Sequence, residues 1–498
     1  MVERTTIEVG TSESLLGQAA RLLGEGYRLA LVAAHHDDKD HPTGEAIRIV
    51  YLFTAGPPDR RVELVWRTDA LVATVPSLFA LSFPASRFER EMRDLYGVQP
   101  EGHGALRPLV HHPRWPADWH PMRHDAGPRP AFDGHAPFPF VTVEGDGVYE
   151  IPVGPVHAGL IEPGHFRFSV VGETVLKLKA RLWYVHKGIE LLAQGRDVAT
   201  NLPLAERVSG DTAVGHALAY SLAVEEAAGV AVPADAARAR AVLLELERLH
   251  NHVADLGMLC NDVAFGIANA HAQRIRERLL RLNKAVTGHR LLRGGVFPGG
   301  AALAAVPDLG TLDAVARDVA ELARIALKHT VVRERFTGTA VLRREQALDV
   351  GALGYVARAS GVDVDARVAH PFVELGEAFA PVVRTSGDVL ARFEVRAEEA
   401  RRSVEVLRAL VPTLREGRYG SPVDGRVPGQ RSGVGIVEGW RGTIVHRVEL
   451  AEVVKRWKIV DPSFFNWPAL PLAMADTIVP DFPLANKSFN LSYAGNDL

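Results

Sequence analysis

The chain of 498 residues is long enough for two or more domains, and a composition of 47% hydrophobic and 23% charged residues is typical of a folded protein with a sizeable core. The formal net charge of −3 gives no support for binding to nucleic acid or to an anionic membrane surface. The single cysteine, Cys260, excludes an intrachain disulfide and an iron–sulfur cluster held by this chain alone, because such clusters need several thiolates.

The amino-terminal part, residues 1–125, is predicted to form a small α/β domain. Residues 12–24 predict a helix that begins with a serine cap and carries a leucine-rich stripe, and a second helix is expected within residues 77–94. Strands are expected over residues 28–34, 46–54 and 61–68. No apolar run reaches the roughly 18–20 residues of a membrane span, so we expect no transmembrane segment in this chain.

Residues 126–148 are rich in Pro, Gly, His and Phe, which predicts an extended linker. The second domain, residues 149–498, is expected to open with a β-rich segment whose hairpin joins residues 166–171 to residues 174–180. Apolar stripes then predict a bundle of long helices, whose cores lie at residues 242–256, 275–286 and 312–328. The predicted fold class is α+β, with a compact α/β domain before a mainly helical one.

Six motifs in chain order carry a resemblance to a known family, and they are Arg87–Gly97, Ile151–Phe166, Tyr184–Glu190, Leu246–His252, Gly439–Thr443 and Lys455–Asn466. They resemble the fused 30-kDa/49-kDa subunit of respiratory complex I. They are equally similar to the large subunit of group 4 nickel–iron hydrogenases, the formate hydrogenlyase and hydrogenase-4 type. The resemblance implies a 30-kDa-like domain followed by a 49-kDa-like, hydrogenase-like domain.

The ligand positions of such hydrogenases depart from the family pattern. The family carries Arg-x-Cys-Gly-x-Cys early and Asp-Pro-Cys-x-x-Cys late. Here the early motif reads Arg207-Val-Ser-Gly-Asp-Thr, and the late one aligns with Asn490-Leu-Ser-Tyr-Ala-Gly. Hydroxyls and a bare glycine cannot replace the thiolates that hold a soft nickel–iron centre. The sequence therefore predicts that no such centre is bound, and the degenerate ligand positions are Ser209, Thr212, Ser492 and Gly495.

The resemblance also implies a polar site around these positions. Catalytic or proton-transfer roles are expected for four residues, Glu162, His157, Asp211 and Arg441. Two alternatives stay open: Glu162 caps backbone amides in a turn, and Arg441 stabilises a structural turn.

The quinone-binding pair of complex I has no counterpart here. Its histidine and tyrosine fall near Ile161 and at Gly210, although His165 lies close enough to replace the histidine. Contacts with a quinone-like ligand are therefore expected from Ser209, His165 and Gly210.

A partner interface is expected near the start of the helical domain. His186, Lys187 and Glu190 are predicted to lie on one helix, with His186 and Glu190 on the same face at i, i+4. In the family this helix faces an iron–sulfur subunit, and Phe297 stands where the family has an arginine close to the neighbouring cluster. A solvated ion-pair cluster is the alternative interpretation.

A metal site at Glu247, His250 and His252 is disfavoured, because their spacing is not His-Glu-x-x-His. Because the same helix carries a core stripe, a buried hydrogen-bonding role is preferred for these side chains.

Three functions follow from the resemblance. The first is a subunit of a membrane-associated oxidoreductase complex that carries electrons from an iron–sulfur partner to a quinone-like acceptor with proton coupling. The second is a non-catalytic scaffold or coupling subunit of such a complex. The third, an active hydrogenase, is disfavoured by the ligand positions.

The expected partners are an iron–sulfur small subunit and antiporter-like membrane-arm subunits, and not nucleic acid. This chain is expected to bind no cofactor itself, except that a quinone is possible. Its expected location is the cytoplasmic face of the cell membrane, held there through its partners.

Overall fold

A computed structural model describes residues 3–37, 45–131, 138–159, 161–376 and 379–498. Its mixture of helices and sheets confirms the predicted α+β class. Residues 126–131 and 138–147 of the predicted linker contain no helix or strand, and residues 132–137 lie outside the described part of the chain.

The amino-terminal part is built on a four-stranded sheet of β1 (Glu3–Glu8), β2 (Arg28–Asp37), β3 (Ala46–Ala55) and β4 (Arg60–Asp69). The strand order is β1-β4-β3-β2; β1 runs parallel to β4 and the other pairs are antiparallel. A short parallel pair, β5 (Thr74–Pro76) and β6 (Gln99–Glu101), flanks α2 (Phe83–Tyr96). The three predicted strands and the second helix are confirmed.

Helix α1 (Ser12–Gly24) has the predicted bounds, but its cap differs. The capping residue is Thr11, whose hydroxyl accepts the backbone N–H of Ser14, so the predicted serine cap is wrong by one position. Leu15, Ala19 and Leu22 form its buried stripe, as the sequence pattern indicates.

The second part opens with a three-stranded antiparallel sheet of β7 (Val148–Val153), β8 (His165–Val171) and β9 (Thr174–Arg181). The turn at Gly172-Glu173 joins β8 to β9, which confirms the predicted hairpin. The 11-residue connection from β7 to β8 contains His157 and Glu162, two of the predicted site residues.

Helices dominate the rest of the chain. The first group comprises α3 (Ile189–Leu192), α4 (Val198–Ala205), α5 (Ala213–Ala228), α6 (Ala234–Asp262), α7 (Gly266–Thr287), α8 (Leu309–Lys328), α9 (Thr330–Phe336), α10 (Arg344–Asp349), α11 (Gly354–Ala359), α12 (Ala366–Ala369) and α13 (Val389–Leu410). The second group comprises α14 (Pro462–Asn466), α15 (Ala469–Ala473), α16 (Phe482–Phe489) and α17 (Tyr493–Asp497). Short 3-10 turns lie at Val411–Thr413 and Val479–Asp481.

The long helices pack as a bundle in which α6 contacts both α7 and α13, and α8 packs on α13 and α7. The predicted stripe of α6 is fully buried, at Val242, Leu246, Leu249, Val253 and Leu256. Apolar side chains at a helical spacing had to face other helices, so the bundle is confirmed.

Two small antiparallel sheets complete the fold. One contains β10 (Val296–Phe297), β11 (Gly300–Leu303) and β12 (Gly417–Gly420), and the other β13 (Arg431–Glu438), β14 (Thr443–Leu450) and β15 (Val454–Val460). Helix α5 packs directly on β13. The two backbones are so close that a Cβ on Gly435 would stand only 1.9 Å from the carbonyl oxygen of Ala219. A Cβ on Gly215, in the first turn of α5, would lie 2.8 Å from Ile444 Cδ1, so the start of α5 lies beside the turn between β13 and β14.

The predicted helix through His186 and Glu190 is wrong, because α3 begins only at Ile189. Gly188 has a left-handed φ of 68°, and the N–H groups of Lys187 and Gly188 both donate to the carbonyl of Leu498. Segment 183–188 is therefore bound to the far end of the chain and does not form a helical turn. His186 and Glu190 do not share a helix face.

Buried ion pairs join β4 and α2 of the amino-terminal part to β14 and β15. Arg447 pairs with Glu63 at 2.9 Å, and Lys458 pairs with Glu91 at 2.7 Å. A single hydrophobic cluster also contains residues of both parts, so the boundaries at residues 125 and 149 remain a prediction. None of the helices in the described ranges combines the length and apolar character of a membrane span.

Candidate functional site

Three segments that are far apart in sequence meet at the start of α5. The first is the loop between α4 and α5, which carries Ser209, Asp211 and Thr212. The second is the tight turn between β13 and β14, which carries Arg441. The third is the connection from α16 into α17, which carries Ser492 and Gly495. We call these six residues the Asp211 site.

The two serines of the degenerate ligand motifs are hydrogen-bonded to each other. Their Oγ atoms lie 2.8 Å apart, and Ser209 Oγ lies 3.0 Å from Asp211 Oδ1. A carboxylate only accepts, so Ser209 donates to Asp211 and Ser492 must then donate to Ser209. Ser492 Oγ in turn accepts the N–H of Gly495 at 2.9 Å, so the whole chain points toward Asp211.

Asp211 and Arg441 form a bidentate ion pair. The two guanidinium nitrogens lie 2.6 and 2.7 Å from the two carboxylate oxygens. Burial opposes the charge of Asp211, but the charge and hydrogen bonds of Arg441 outweigh it and hold the Asp211 pKa well below its usual range. The Asp211 side chain is nevertheless 40% exposed, whereas that of Arg441 is 5% exposed. Arg441 is thus enclosed by the protein, whereas the Asp211 carboxylate is partly exposed to solvent.

Neighbouring groups fix the orientation of Arg441. Its Nε donates to the carbonyl of Asn490 at 2.6 Å, and one Nη1 proton reaches Thr212 Oγ1 at 3.3 Å. The guanidinium stacks 3.9 Å from the ring of Trp440, whose indole N–H donates to Thr212. Arg441 is therefore more than part of a structural turn, because it bridges all three segments of the site.

A second carboxylate stands where the fourth cysteine of the family would project. A Cβ built on Gly495 would lie 2.6 Å from the carboxyl carbon of Asp461. Asp461 Oδ2 accepts from His216 at 3.0 Å, and His216 meets His446 at 3.0 Å. Sequence reasoning missed these residues, although His216 follows Thr212 by one helical turn and could have been found on that spacing.

The donor set does not fit a nickel–iron centre. The hydroxyls of Ser209 and Ser492 are engaged with each other, Thr212 is bound by Trp440, and Gly495 offers no side chain. The one thiol, Cys260, is buried in the bundle, and burial raises its pKa to about 12. No group of three or more metal-ligating side chains occurs among the described residues. We derive no chemistry through such a centre.

Glu162 contacts the segment that carries Ser492 and Gly495, and the sequence did not indicate this contact. Its Oε2 accepts the backbone N–H of Ala494 at 2.9 Å, in the first turn of α17. The carboxylate thus caps a backbone amide, as the alternative interpretation expected, but the amide belongs to the segment that carries Ser492 and Gly495. Glu162 is half-buried.

His157 in the β7–β8 connection and His165 at the start of β8 both bond to backbone carbonyls of that connection. His157 Nε2 lies 2.8 Å from the carbonyl of Gly164, and His165 Nδ1 lies 3.2 Å from that of Gly154. Both rings donate there, and burial lowers the His165 pKa. Gly210 has open space around its Cα, because nothing lies within 4 Å of a built Cβ. The structure therefore places His157 in the connection that carries Glu162, and His165 directly after that connection.

The predicted interface residues do not form one surface. Glu190 is buried, paired with Arg456 at 2.8 Å, and Phe297 is buried beneath the guanidinium of Arg418. Lys187 Nζ donates to the carbonyl of Val208 at 3.0 Å, so it borders the Asp211 site. Burial lowers the Lys187 pKa, against the attraction of nearby carboxylates. The ring of His186 donates to the carbonyl of Asp497 at 2.6 Å.

The side chains of Glu247, His250 and His252 have separate partners, as the preferred hydrogen-bonding interpretation expected. Glu247 accepts the N–H groups of Val214 and Gly215 at 2.7 and 3.0 Å. His250 bonds to the carbonyl of Leu246, and His252 Nε2 lies 2.8 Å from Glu399.

Three family models match the chain. The model described as "Respiratory-chain NADH dehydrogenase, 30 Kd subunit" matches residues 11–130. The corresponding 49 Kd model matches residues 268–432. "Nickel-dependent hydrogenase" matches residues 187–260, which include the first two degenerate ligand positions.

Similar proteins include three subunits of oxidoreductase complexes. Hydrogenase-4 component G of Escherichia coli is 33% identical, over 82% of this chain and 73% of the relative. Formate hydrogenlyase subunit 5 of the same organism is 32% identical, over 82% and 74%. The C/D subunit of the NADH-quinone oxidoreductase of Phocaeicola vulgatus is 30% identical, over 74% and 76%.

A solved structure of the membrane-bound sulfane sulfur reductase, an archaeal respiratory membrane complex, contains a similar chain. The TM-score is 0.65 at 25% identity, over 71% of this chain and 99% of that one. The 30 Kd model matches the amino-terminal part, and the hydrogenase and 49 Kd models match the rest, which is the order that the six motifs predicted. The solved structure shares the fold. The chain therefore belongs to the family that unites the fused 30-kDa/49-kDa subunits of respiratory complex I with the large subunits of group 4 nickel–iron hydrogenases.

Proposed function

We propose that this chain is a subunit of a membrane-associated oxidoreductase complex that works without a nickel–iron centre. It carries electrons from an iron–sulfur partner subunit to a quinone-like acceptor and couples the reduction to proton uptake. The observation that supports this most is the Asp211–Arg441 ion pair. It is fixed, its carboxylate is partly exposed, and it lies beside the four positions where the family has cysteines.

Arg441 supplies a hydrogen-bond donor for an acceptor of this class. A guanidinium has five N–H groups. In the described part of the chain, Asp211, Thr212 and Asn490 engage four of them. The remaining N–H on Nη2 can donate to the carbonyl oxygen of a quinone-type ring. The charge behind that donor stabilises the negative charge that develops on the oxygen during reduction.

Glu162 is the proposed proton donor to the reduced acceptor. Its carboxyl is half-buried and is joined to the α17 turn that carries the Asp211 site. A side chain that can exchange protons with solvent while held beside the acceptor fits general acid catalysis. Lys187, which borders the same site, is placed to restore the proton.

A scaffold or coupling subunit is the second candidate, and one observation favours it. The hydroxyls of Ser209, Ser492 and Thr212 are all satisfied within the site, so these side chains need no ligand. In that case the fold serves to dock neighbouring subunits and to transmit conformational change.

The partners belong to the same proposal. Family membership supports an iron–sulfur small subunit and antiporter-like membrane-arm subunits as neighbours. The chain itself holds no cluster, with a quinone as its one possible cofactor, and lies peripherally on the cytoplasmic face of the cell membrane. The interface near His186 and Phe297 remains a prediction.

Glu162→Gln in the purified complex tests the catalytic proposal. We expect reduction of a soluble quinone analogue to slow by about 100-fold, because the amide keeps the hydrogen bond to Ala494 but cannot donate the proton. Glu173→Gln, at the exposed turn of the β8–β9 hairpin, is the matched control and keeps the wild-type rate. An unchanged rate in the Glu162 variant would favour the scaffold.

A further inference from the structure

Four buried side chains form a hydrogen-bonded chain behind the Asp211 site. They are Asp461, His216, His446 and Trp457, and none is more than 1% exposed. The successive distances are 3.0 Å from Asp461 Oδ2 to His216 Nε2, 3.0 Å from His216 Nδ1 to His446 Nε2, and 3.3 Å from His446 Nδ1 to Trp457 Nε1. We call this the Asp461 chain.

The indole at the far end sets the direction of every bond in this chain. Trp457 Nε1–H can only donate, so His446 Nδ1 must accept. Burial holds the His446 pKa well below its usual value, and its ring is neutral with the proton on Nε2. That proton is donated to His216 Nδ1, which leaves His216 with its own proton on Nε2, donated to Asp461.

The same argument fixes the role of His216 in the chain. An imidazolium needs two ring protons, and its second proton would meet the N–H of His446 head-on. His446 cannot turn its lone pair toward His216 without placing a proton against the indole N–H of Trp457. The hydrogen-bond geometry therefore makes His216 the donor and Asp461 the acceptor.

We propose that Trp457, acting through His446 and His216, locks the ring tautomers so that Asp461 stays an ionised carboxylate opposite Gly495, and that no proton passes from the Asp211 site through these rings. Trp457, His446 and His216 are thus positioning residues, and the Asp461 chain, whose bond directions are fixed, does not carry a proton away from the site. The part of this proposal that concerns a proton path rests on the proposed function; the tautomer lock does not.

The other charged groups around Asp461 are consistent with this. Arg441 and Lys187 are the cations that act on it, from the β13–β14 turn and from the segment before α3. The N–H of Ser463 occupies Oδ1 at 2.7 Å. Arg441 belongs to the Asp211 site and Lys187 borders it, so both cations favour the ionised form of Asp461.

The wild-type complex, labelled with 15N in its histidine rings, provides the first test. We expect both rings, assigned by their loss in His446→Gln and in His216→Gln, to have Nδ1 in the lone-pair form and Nε2 in the protonated form between about pH 5 and 8. The opposite tautomer, or a His446 or His216 ring that becomes doubly protonated in that interval, would overturn the proposal.

Trp457→Phe provides the second test. Without the indole N–H, His446 is free to move its proton to Nδ1, and His216 can then hold two protons between His446 and Asp461. We expect one additional titrating imidazole, which disappears when His216→Gln is added. No additional titration in the folded variant would contradict the lock.

Trp467→Phe is the matched control for the loss of a buried indole. Trp467 is 1% exposed and donates to the carbonyl of Ser492, without contact to the two histidines. We expect no additional titrating imidazole in this variant. Because all three measurements need no turnover, they separate the tautomer lock from the catalytic proposal, which the Glu162 variant tests on its own.

Discussion

Two of the polar networks in this fold differ in how their charges are paired and in how far they are buried. The first is the Asp211 site, with one ion pair and a chain of hydroxyls. The second, which we call the Arg358 cluster, lies deeper in the bundle and comprises Glu245, Arg248, Arg358, Asp365, Arg367, Glu399 and Glu438. Arg358 alone contacts Glu399 at 2.6 Å, Glu438 at 2.9 Å and Asp365 at 3.3 Å.

The difference separates a structural network from an accessible one. In the Arg358 cluster each charge is buried and most have several partners, so the cluster joins β13 to the helices and offers nothing to solvent. In the Asp211 site the Asp211 side chain is 40% exposed beside a fully oriented arginine. The carboxylate is therefore the accessible group of this site, and the arginine holds it in place.

Removing the centre of the Arg358 cluster should have the largest effect. Arg358→Met leaves Glu399, Glu438 and Asp365 without their shared cation, and we expect the free energy of unfolding to fall by about 3–5 kcal/mol. Chemical denaturation of the purified chain measures this loss. The control Arg401→Met removes exposed pairs on α13 and should cost less than about 1 kcal/mol. Equal losses would mean that the cluster is not structural.

Glu247 lies between the two networks and predicts a pH dependence. Among the residues that the structure describes, its carboxyl accepts hydrogen bonds only from backbone N–H groups, and burial raises its pKa to about 8. The folded state then retains a proton that the unfolded chain releases, so stability falls as pH rises from the ordinary carboxyl range to about 8. The expected slope from this group is about 1.4 kcal/mol per pH unit.

Glu247→Gln should remove that slope, and denaturation curves collected across the interval measure it. The exposed Glu13→Gln on α1 serves as the control and should leave the slope unchanged. A Glu247 variant whose stability follows pH as the wild type does would show that the carboxyl is already ionised in the fold.

The smallest expected effect comes from removing one serine hydroxyl, either from the Asp211 site or from beside the Arg358 cluster. Ser209→Ala removes a donor to Asp211, and Ser403→Ala removes a donor to Glu245. Each should cost about 1 kcal/mol of unfolding free energy. Only Ser209→Ala should also slow reduction of a quinone analogue. If both variants slowed it equally, the Asp211 site would have no special role.

Local patterns were sufficient for most of the fold. The stripe at Val242 to Leu256 predicted a buried helix face, and the alternation on either side of Gly172-Glu173 predicted a hairpin, because both periods follow from backbone geometry. The pattern failed at His186 to Glu190. There the backbone amides bond to the carbonyl of Leu498, a contact that no local pattern contains.

The site was predictable only in part. The motifs indicated that Ser209 and Ser492 belong together, although 283 residues separate them. They gave no sign of His446, which lies in the middle of a buried strand, or of the bond from Glu162 to the first turn of α17. Such contacts depend on which strand and helix ends meet, and not on neighbours in the chain.

The sequence by itself determined which atoms the four degenerate ligand positions offer, because the residue types are hydroxyls and a glycine whatever the fold. Only the tertiary structure decided that Arg441 faces Asp211 and that Asp461 lies against Gly495. The tertiary structure also sets the direction of donation in the Asp461 chain and in the chain from Ser492 through Ser209 to Asp211. Hydrogen-bond polarity is set by which groups meet at about 3 Å, and those distances exist only once the distant segments have packed together.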